Sequence, residues 1–461
     1  MLQGYLAQLQ NRVNELEGSY SQRPQAAGAS AQHIHSFSSV QIPSQWWTNE
    51  IPPTHISRTL VNIFIQHSHQ LCTSLSLRSL ETYITARPDD ANYPHPALMN
   101  SIFLWGARLS RSNSLSTPDS EQTLYSKALN LLQTRNMSSL TVRHSLQAVQ
   151  AEILTATYLF TCGGRSLETD FRINSAVRLA LGLGMNHVIP GVSNDSVRDG
   201  ENITTFWELF LLDQMWSLTS GKPAIIRTYG TSRLSITTPW PLTTQGVLKK
   251  NETYSPSNNV DPLLQFEMEG GTSSSGFSHL ALAAKAIYLC QRAVQVSSLP
   301  TSSEETRTLD AMIFNFISTL PPVDSRGDVT NKSYQISVHA IAYYSFIKLH
   351  ESHAQVDIGA YKRCVQAACY ISMLLGSFTP EETFEPYSIT LPCFVVSSKI
   401  IMREISRIRQ MEDPSQNDLS PQALTMVLSR LLDALTDLSE VFTVLEPQLD
   451  TIREMRETLL S

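Results

Sequence analysis

The residues able to do chemistry in this chain are few, and their spacing does not assemble them. His67 and His69, in IQHSHQ, lie two residues apart on a helical segment and so leave different faces; with no third ligand at usable spacing they read as surface or linker-facing side chains. Six cysteines (Cys72, Cys162, Cys290, Cys364, Cys369 and Cys393) contain no C-x-x-C pair of the kind zinc modules use. Cys364 and Cys369 are closest, but five helical residues rotate about 140°, which suits neither a disulfide nor one metal. All six are read as reduced, mostly buried thiols. The glycines of TCGGRS follow no strand and lack the lysine of a phosphate-binding loop, and neither H-E-x-x-H nor G-x-S-x-G occurs. Glu208 and Asp213 share a helix but not a face, so no paired-carboxylate acid and base is indicated. Neither enzymatic chemistry nor a cofactor bound by this chain is expected.

The elements that carry these residues are helical. The chain has 461 residues, 42% of them hydrophobic, a formal charge of −7 and a pI near 6.0, an ordinary balance for buried cores and no bulk attraction to nucleic acid or anionic membrane. The first 46 residues hold only Arg12 and Arg23 against Glu15 and Glu17, so no basic arm is present there. No apolar run reaches the length of a spanning helix and the N-terminus has no signal-peptide pattern, so an intracellular protein without membrane contact is expected.

Helical periodicity recurs through most of the sequence, which predicts an all-α, irregular multi-helix array. Val149, Ile153, Ala156 and Phe160 repeat at helical spacing, as do Ile336, Ala340, Tyr343 and Ile347. The pattern breaks in three places. Residues 18–46 are rich in Ser, Gln and Ala and read as a disordered linker; residues 228–278 read as a long irregular excursion with a flexible tip; residues 411–420 precede the last helices. The predicted organisation is a helix over 1–17, the linker over 18–46, a helical domain over 47–410, and C-terminal helices over 411–461 packed on it. In the first segment Leu2, Leu6, Leu9, Val13 and Leu16 form a two-heptad seam that predicts a short dimerisation helix. In the last, Ser420 and Pro421 look like an N-cap and first residue ahead of Leu424, Leu428, Leu431, Leu435, Leu438 and Phe442. The acidic, leucine-rich TDLSEVFTVLEPQLD could serve as an activation surface, but its stripe favours a docked helix.

The central block is the most informative. Ile173, Val177, Ala180 and Leu183 form an apolar face, followed by Gly184 as a left-handed helix stop. The next helix, FWELFLLDQMWSL, is apolar on almost every side and predicts a central position, ending at Gly221 and Pro223. Asp213 in its middle needs a partner, and Arg178 on the preceding helix is the candidate for a buried pair. Trp105, Phe206, Trp207, Phe210 and Trp216 could line an effector pocket, though core packing is the stronger reading.

AVRLALGLGM followed by FWELFLLDQMWSLTSGKPAII resembles the middle homology domain of fungal-specific transcription factors of the binuclear zinc cluster class. HPALMNSIFLWGARLS before it, and ITTPWP, LALAAKAIYLCQRAV and ISVHAIAYYSFIKLH after it, are similar to the same domain in mushroom-type fungi. The likeness covers roughly residues 45–410, and Arg178, Leu183, Gly184, Phe206, Trp207, Asp213, Gly221 and Pro223 carry its signature. The resemblance implies a nuclear regulator of genes transcribed by RNA polymerase II, dimerised through the N-terminal seam as a homodimer or with a related regulator. A small-molecule effector or a coactivator is a further implied partner. In the family, six closely spaced cysteines ahead of the dimerisation helix hold two zinc ions and read DNA. Here nothing precedes Met1, so zinc and DNA contact are expected only through a missing N-terminal cluster. Lys222 stands where the family usually has Arg, Gln214 follows Asp213 where Arg is common, and Asn202 to Thr205 replace a basic run. The alternative is an interaction protein that has lost DNA binding and modulates related regulators by heterodimerisation.

Overall fold

In a computed structural model of the chain, the described residues are 43–71, 73, 75, 80, 93–134, 142–163, 166–190, 196–230, 232–242, 261–272, 275–298, 303–324, 327–379, 382–410 and 420–460. The seam residues Leu2, Leu6, Leu9, Val13 and Leu16 lie outside them, as do Cys72 and most of the stretch read as linker. Among the described residues the fold is all-α, with fourteen helices and no strand. In chain order these are α1 (Thr54–His67), α2 (Pro96–Leu109), α3 (Pro118–Thr134), α4 (Val142–Tyr158), α5 (Ser166–Gly182), α6 (Ser196–Ser220) and α7 (Pro262–Met268). They continue with α8 (His279–Ser298), α9 (Ser303–Thr319), α10 (Val329–His350), α11 (Ile358–Met373), α12 (Leu391–Arg409), α13 (Pro421–Ser439) and α14 (Glu446–Leu460).

Local sequence sets many of the helix starts. Asp261, Asp328 and Asp357 accept backbone amide hydrogen bonds at the first turns of α7, α10 and α11, and proline occupies the first turn of α2, α7, α12 and α13. Ser420 takes the N-cap position of α13, but its hydroxyl bonds Gln422 Oε1 at 2.8 Å rather than the helix backbone.

Helices α6, α8 and α10 form the centre. Phe206, Trp207, Leu209, Phe210, Leu211, Leu212 and Met215 of α6 are all buried, as the apolar run required. On one side α6 packs against α4 and α5, α4 against α2, and α2 against α1 and α3; on the other, α8 lies along α10, α10 carries α11, α11 carries α12, and α12 carries α13 and α14. Helices α1 and α2 approach closely at Gly106, where a Cβ would collide with the Leu60 carbonyl.

The C-terminal segment then closes the array. Arg108 Nε in α2 donates to Val441 O at 2.7 Å, Phe442 lies 6.4 Å from Trp105 between ring centroids, and Thr443 Oγ1 donates to Cys162 O at 2.9 Å. TDLSEVFTVLEPQLD is therefore a docked segment, with Val441, Phe442, Leu445 and Leu449 in the same core cluster as Trp46. Trp46, the last residue of the stretch read as linker, is 1% exposed and packs edge-on against Trp47, so the folded chain begins before residue 47.

The excursion over 228–278 is in part packed. Ile236, Thr238 and Trp240 are buried, α7 occupies Pro262–Met268, and residues 243–260 are outside the described set. Trp207 explains the packing: its Nε1 donates to Pro239 O at 2.8 Å and its ring stacks on Trp240 at 4.5 Å.

Candidate functional site

Asp213 is 1% exposed, and its partners are not the expected ones. Arg178 is exposed on α5 and does not pair with it. Instead Asp213 accepts the backbone N–H of Ile225 at 3.1 Å, the N–H of Ile226 at 2.8 Å, and Gln214 Nε2 at 3.1 Å. Gln214 Nε2 also donates to Ile226 O at 2.9 Å, and Gln291 Nε2 on α8 donates to Gln214 O at 2.8 Å. Burial pushes the Asp213 carboxyl up to about 6, against the pull of the two amides and Gln214. The group thus clamps the GKPAII segment back onto α6. Gly221, at φ +69°, makes the reversal possible, with Lys222 and Pro223 exposed at its tip.

Gly184 sets the neighbouring turn. Gly184, at φ +70°, ends α5 and turns the chain into Met185–His187, where Asn186 O accepts the Thr237 N–H at 2.9 Å and Met185 O accepts Thr238 Oγ1 at 2.5 Å. Leu183 does not join the face of Ile173, Val177 and Ala180. The helix stops at Gly182 and the turn swings Leu183 outward, leaving it 41% exposed. The buried arginine of α5 is Arg172, whose Nη1 lies 3.3 Å from Glu152 Oε1 on α4, each side chain 5% exposed. Arg172 is in phase with the buried Thr169, Ile173 and Ala176, whereas Arg178 is not, so the helical period held the signal that the residue type obscured.

Behind the clamped turn lies a cleft of about 600 Å³. Its first wall comes from the end of α4, the end of α6 and Lys222. Helix α4 passes at Tyr158 into a π-turn, Leu159–Gly163, which carries Phe160 and Thr161 to the cleft. Trp216 completes this wall, edge-on to Phe160 at 5.8 Å, with its Nε1 donating to Asp170 Oδ1 at 3.1 Å. Its second wall comes from Tyr344 and Lys348 of α10, Ser388, Leu391, Val395 and Lys399 at and along α12, and Leu445 and Gln448 from the C-terminal segment. Of the aromatic residues considered for a pocket, Trp105, Phe206, Trp207 and Phe210 are core, and Trp216 alone lines the cleft.

The remaining chemistry-bearing residues are structural. His67 Nδ1 and His69 Nε2 converge on Glu385 at 3.0 and 3.1 Å, because the chain tightens from α1 into a 3₁₀ turn over Ser68–Leu71 and the α-helical spacing no longer applies. They are not free surface side chains. Burial raises the Glu385 carboxyl, but the bonds and charges of the two histidines outweigh it and hold it at about 2. The five described cysteines are free thiols; burial pushes Cys290, Cys364 and Cys369 up to about 12, which makes them unreactive at neutral pH. Among the described residues no cluster of three or more His, Cys, Asp or Glu could hold a metal, and no helix is long and apolar enough to cross a membrane.

No curated protein matches the chain. Residues 61–285 match a family model, the fungal specific transcription factor domain, a narrower span than the 45–410 of the resemblance. The match runs from α1 into α8 and takes in the clamped turn and the first wall of the cleft, while the second wall follows it. Residues 61–285, with the clamp of Asp213 and the buried Phe206 and Trp207 among them, are similar to the fungal specific transcription factor domain.

Proposed function

We propose that this chain is the regulatory and dimerisation portion of a zinc-cluster regulator of genes transcribed by RNA polymerase II, acting in the nucleus. Two copies, or one copy and a related regulator, join through Leu2, Leu6, Leu9, Val13 and Leu16, and DNA is read through a zinc cluster joined to that seam. The observation that carries this reading is the family domain at 61–285 built into one core with the C-terminal helices. The cleft between the two parts is the place where an effector acts. A molecule touching both walls favours the conformation in which they are close, and shifts the regulator by its differential affinity for that state.

The test is to tether residues 1–461 to an unrelated DNA-binding domain and measure transcription of a reporter. The reading expects a severalfold change in output, of either sign. Unchanged output from a folded, nuclear fusion contradicts it; if that fusion captures a related regulator and lowers its target's expression, the interaction protein takes its place. Charged replacements at Leu9 and Val13 should abolish self-association in sedimentation. Persistence of the dimer would move the contact into the helical domain.

A further inference from the structure

The lining of the cleft is unbalanced in charge. Among the described residues Lys222, Lys348 and Lys399 contribute to it, and no aspartate or glutamate does. Lys222 and Lys348 reach carboxylates outside the lining, Asp170 at 3.2 Å and Glu351 at 2.8 Å. Lys399 donates to the neutral side-chain oxygen of Gln448 at 2.7 Å, a bond that leaves its charge unmatched.

A second observation points the same way. Ser388 is 0% exposed, lines the cleft, and its hydroxyl has no hydrogen-bond partner among the described residues. A buried hydroxyl left unbonded is unfavourable, and a ligand acceptor reaching it from the cleft would complete the bond. The adjoining first turn of α12 supplies Leu391 and Pro392 to the lining. Phe160 and Trp216 on one side and Leu391, Val395, Val396, Val444 and Leu445 on the other give the cleft an apolar stretch, beside the hydroxyl-bearing Thr161, Ser166, Thr169, Thr219 and Ser220.

We infer that the cleft binds a small amphipathic anion, an acid group on an apolar body. Lys399 is the main charge partner and the Ser388 hydroxyl a donor that the ligand satisfies. The apolar body fills the space between the aromatic wall and the aliphatic one. This inference rests on the reading of the cleft as the effector site, and it names the chemistry of that effector. Either a carboxylate or a phosphate monoester supplies the same charge and acceptors.

Four probes with one phenylhexyl body separate the terms: phenylhexanoate, phenylhexyl phosphate, phenylhexanamide and phenylhexylamine, titrated against the full chain by ligand-observed NMR. At least one anion is expected to bind about tenfold or more tightly than the neutral amide, the usual advantage of a charge-assisted bond, and the amine more weakly than either. Which anion binds tighter identifies the acid group. Lys399→Met should reduce the anion to the affinity of the amide, and Ser388→Ala should weaken the anion severalfold while leaving the amide within twofold. Val395→Trp, which fills the cleft, should abolish all binding, and Lys399→Met reads the same site without an added bulky group. Equal affinity of anion and amide, or a preference that survives Lys399→Met, overturns the anion assignment while the cleft remains a ligand site. Absence of binding by all four probes to the folded chain overturns the anion assignment and the effector site together.

Discussion

At Asp213, a carboxylate that is 1% exposed receives two backbone amides and a side-chain amide, and a six-residue turn is held by them. At Ser388, a hydroxyl that is 0% exposed receives nothing, and Lys399 nearby in the sequence bonds a neutral partner. Both are polar insertions in an apolar interior, where an unsatisfied group costs about 1–3 kcal/mol. The first is complete within the protein and fixes its shape. The second has no partner among the described residues. Removing a polar group therefore has opposite consequences at the two places, and stability measurements divide them.

The largest effect should come from the charged pair that, like the clamp, is closed within the fold. Arg172→Met strands Glu152 at 5% exposure and should lower stability by about 3–5 kcal/mol in urea denaturation, and adding Glu152→Gln should recover much of it. Next, Asp213→Ala leaves the amides of Ile225 and Ile226 without their acceptor and should cost about 3 kcal/mol. A loss below 1 kcal/mol would mean that the turn holds itself. If Arg178→Ala proved as damaging as Arg172→Met, the assignment of the buried arginine would be wrong.

A third prediction uses pH. Burial raises the Asp213 carboxyl from 3.8 to about 6, so between those values the native state keeps a proton that the unfolded chain has lost. The contribution of Asp213 is therefore greatest below about pH 4 and falls as the pH rises to about 6, by on the order of 3 kcal/mol, staying level above that. Asp213→Asn, which does not titrate, should lack this slope when its stability profile is set against that of the wild type. Parallel profiles would contradict it. The smallest effect is at the cleft, and its sign is opposite: Ser388→Ala removes a buried hydroxyl with no partner among the described residues and should raise stability by about 1 kcal/mol.

Periodicity and punctuation carried much of this architecture. The all-round apolar helix over FWELFLLDQMWSL, the left-handed stop at Gly184 and the stripe from Leu424 to Leu438 were legible because each depends on neighbours within a few turns. The acceptor role of Asp213 was not, because its partners are the main-chain amides of Ile225 and Ile226, which no residue type announces. Trp207 and Trp240 both stand in signature stretches, yet their stacking depends on a chain reversal that residue order does not specify. The cleft was least legible of all. Its walls come from residues 159–222 and 344–448, and nothing local in Ser388 or Lys399 marks them as facing Trp216.

Control through the cleft, as proposed, has a direct test. The most direct measurement is reporter output from the tethered chain carrying Val395→Trp, set beside the wild-type fusion at equal abundance and equal thermal stability. Val395 lies on the cleft wall, 8% exposed at the edge of the core, and makes none of the bonds of the clamp, so at equal thermal stability the substitution reads the filled cleft. Output shifted severalfold, and no longer responsive to a ligand that binds the wild type, is the predicted result. Output and ligand response identical to wild type would contradict the account.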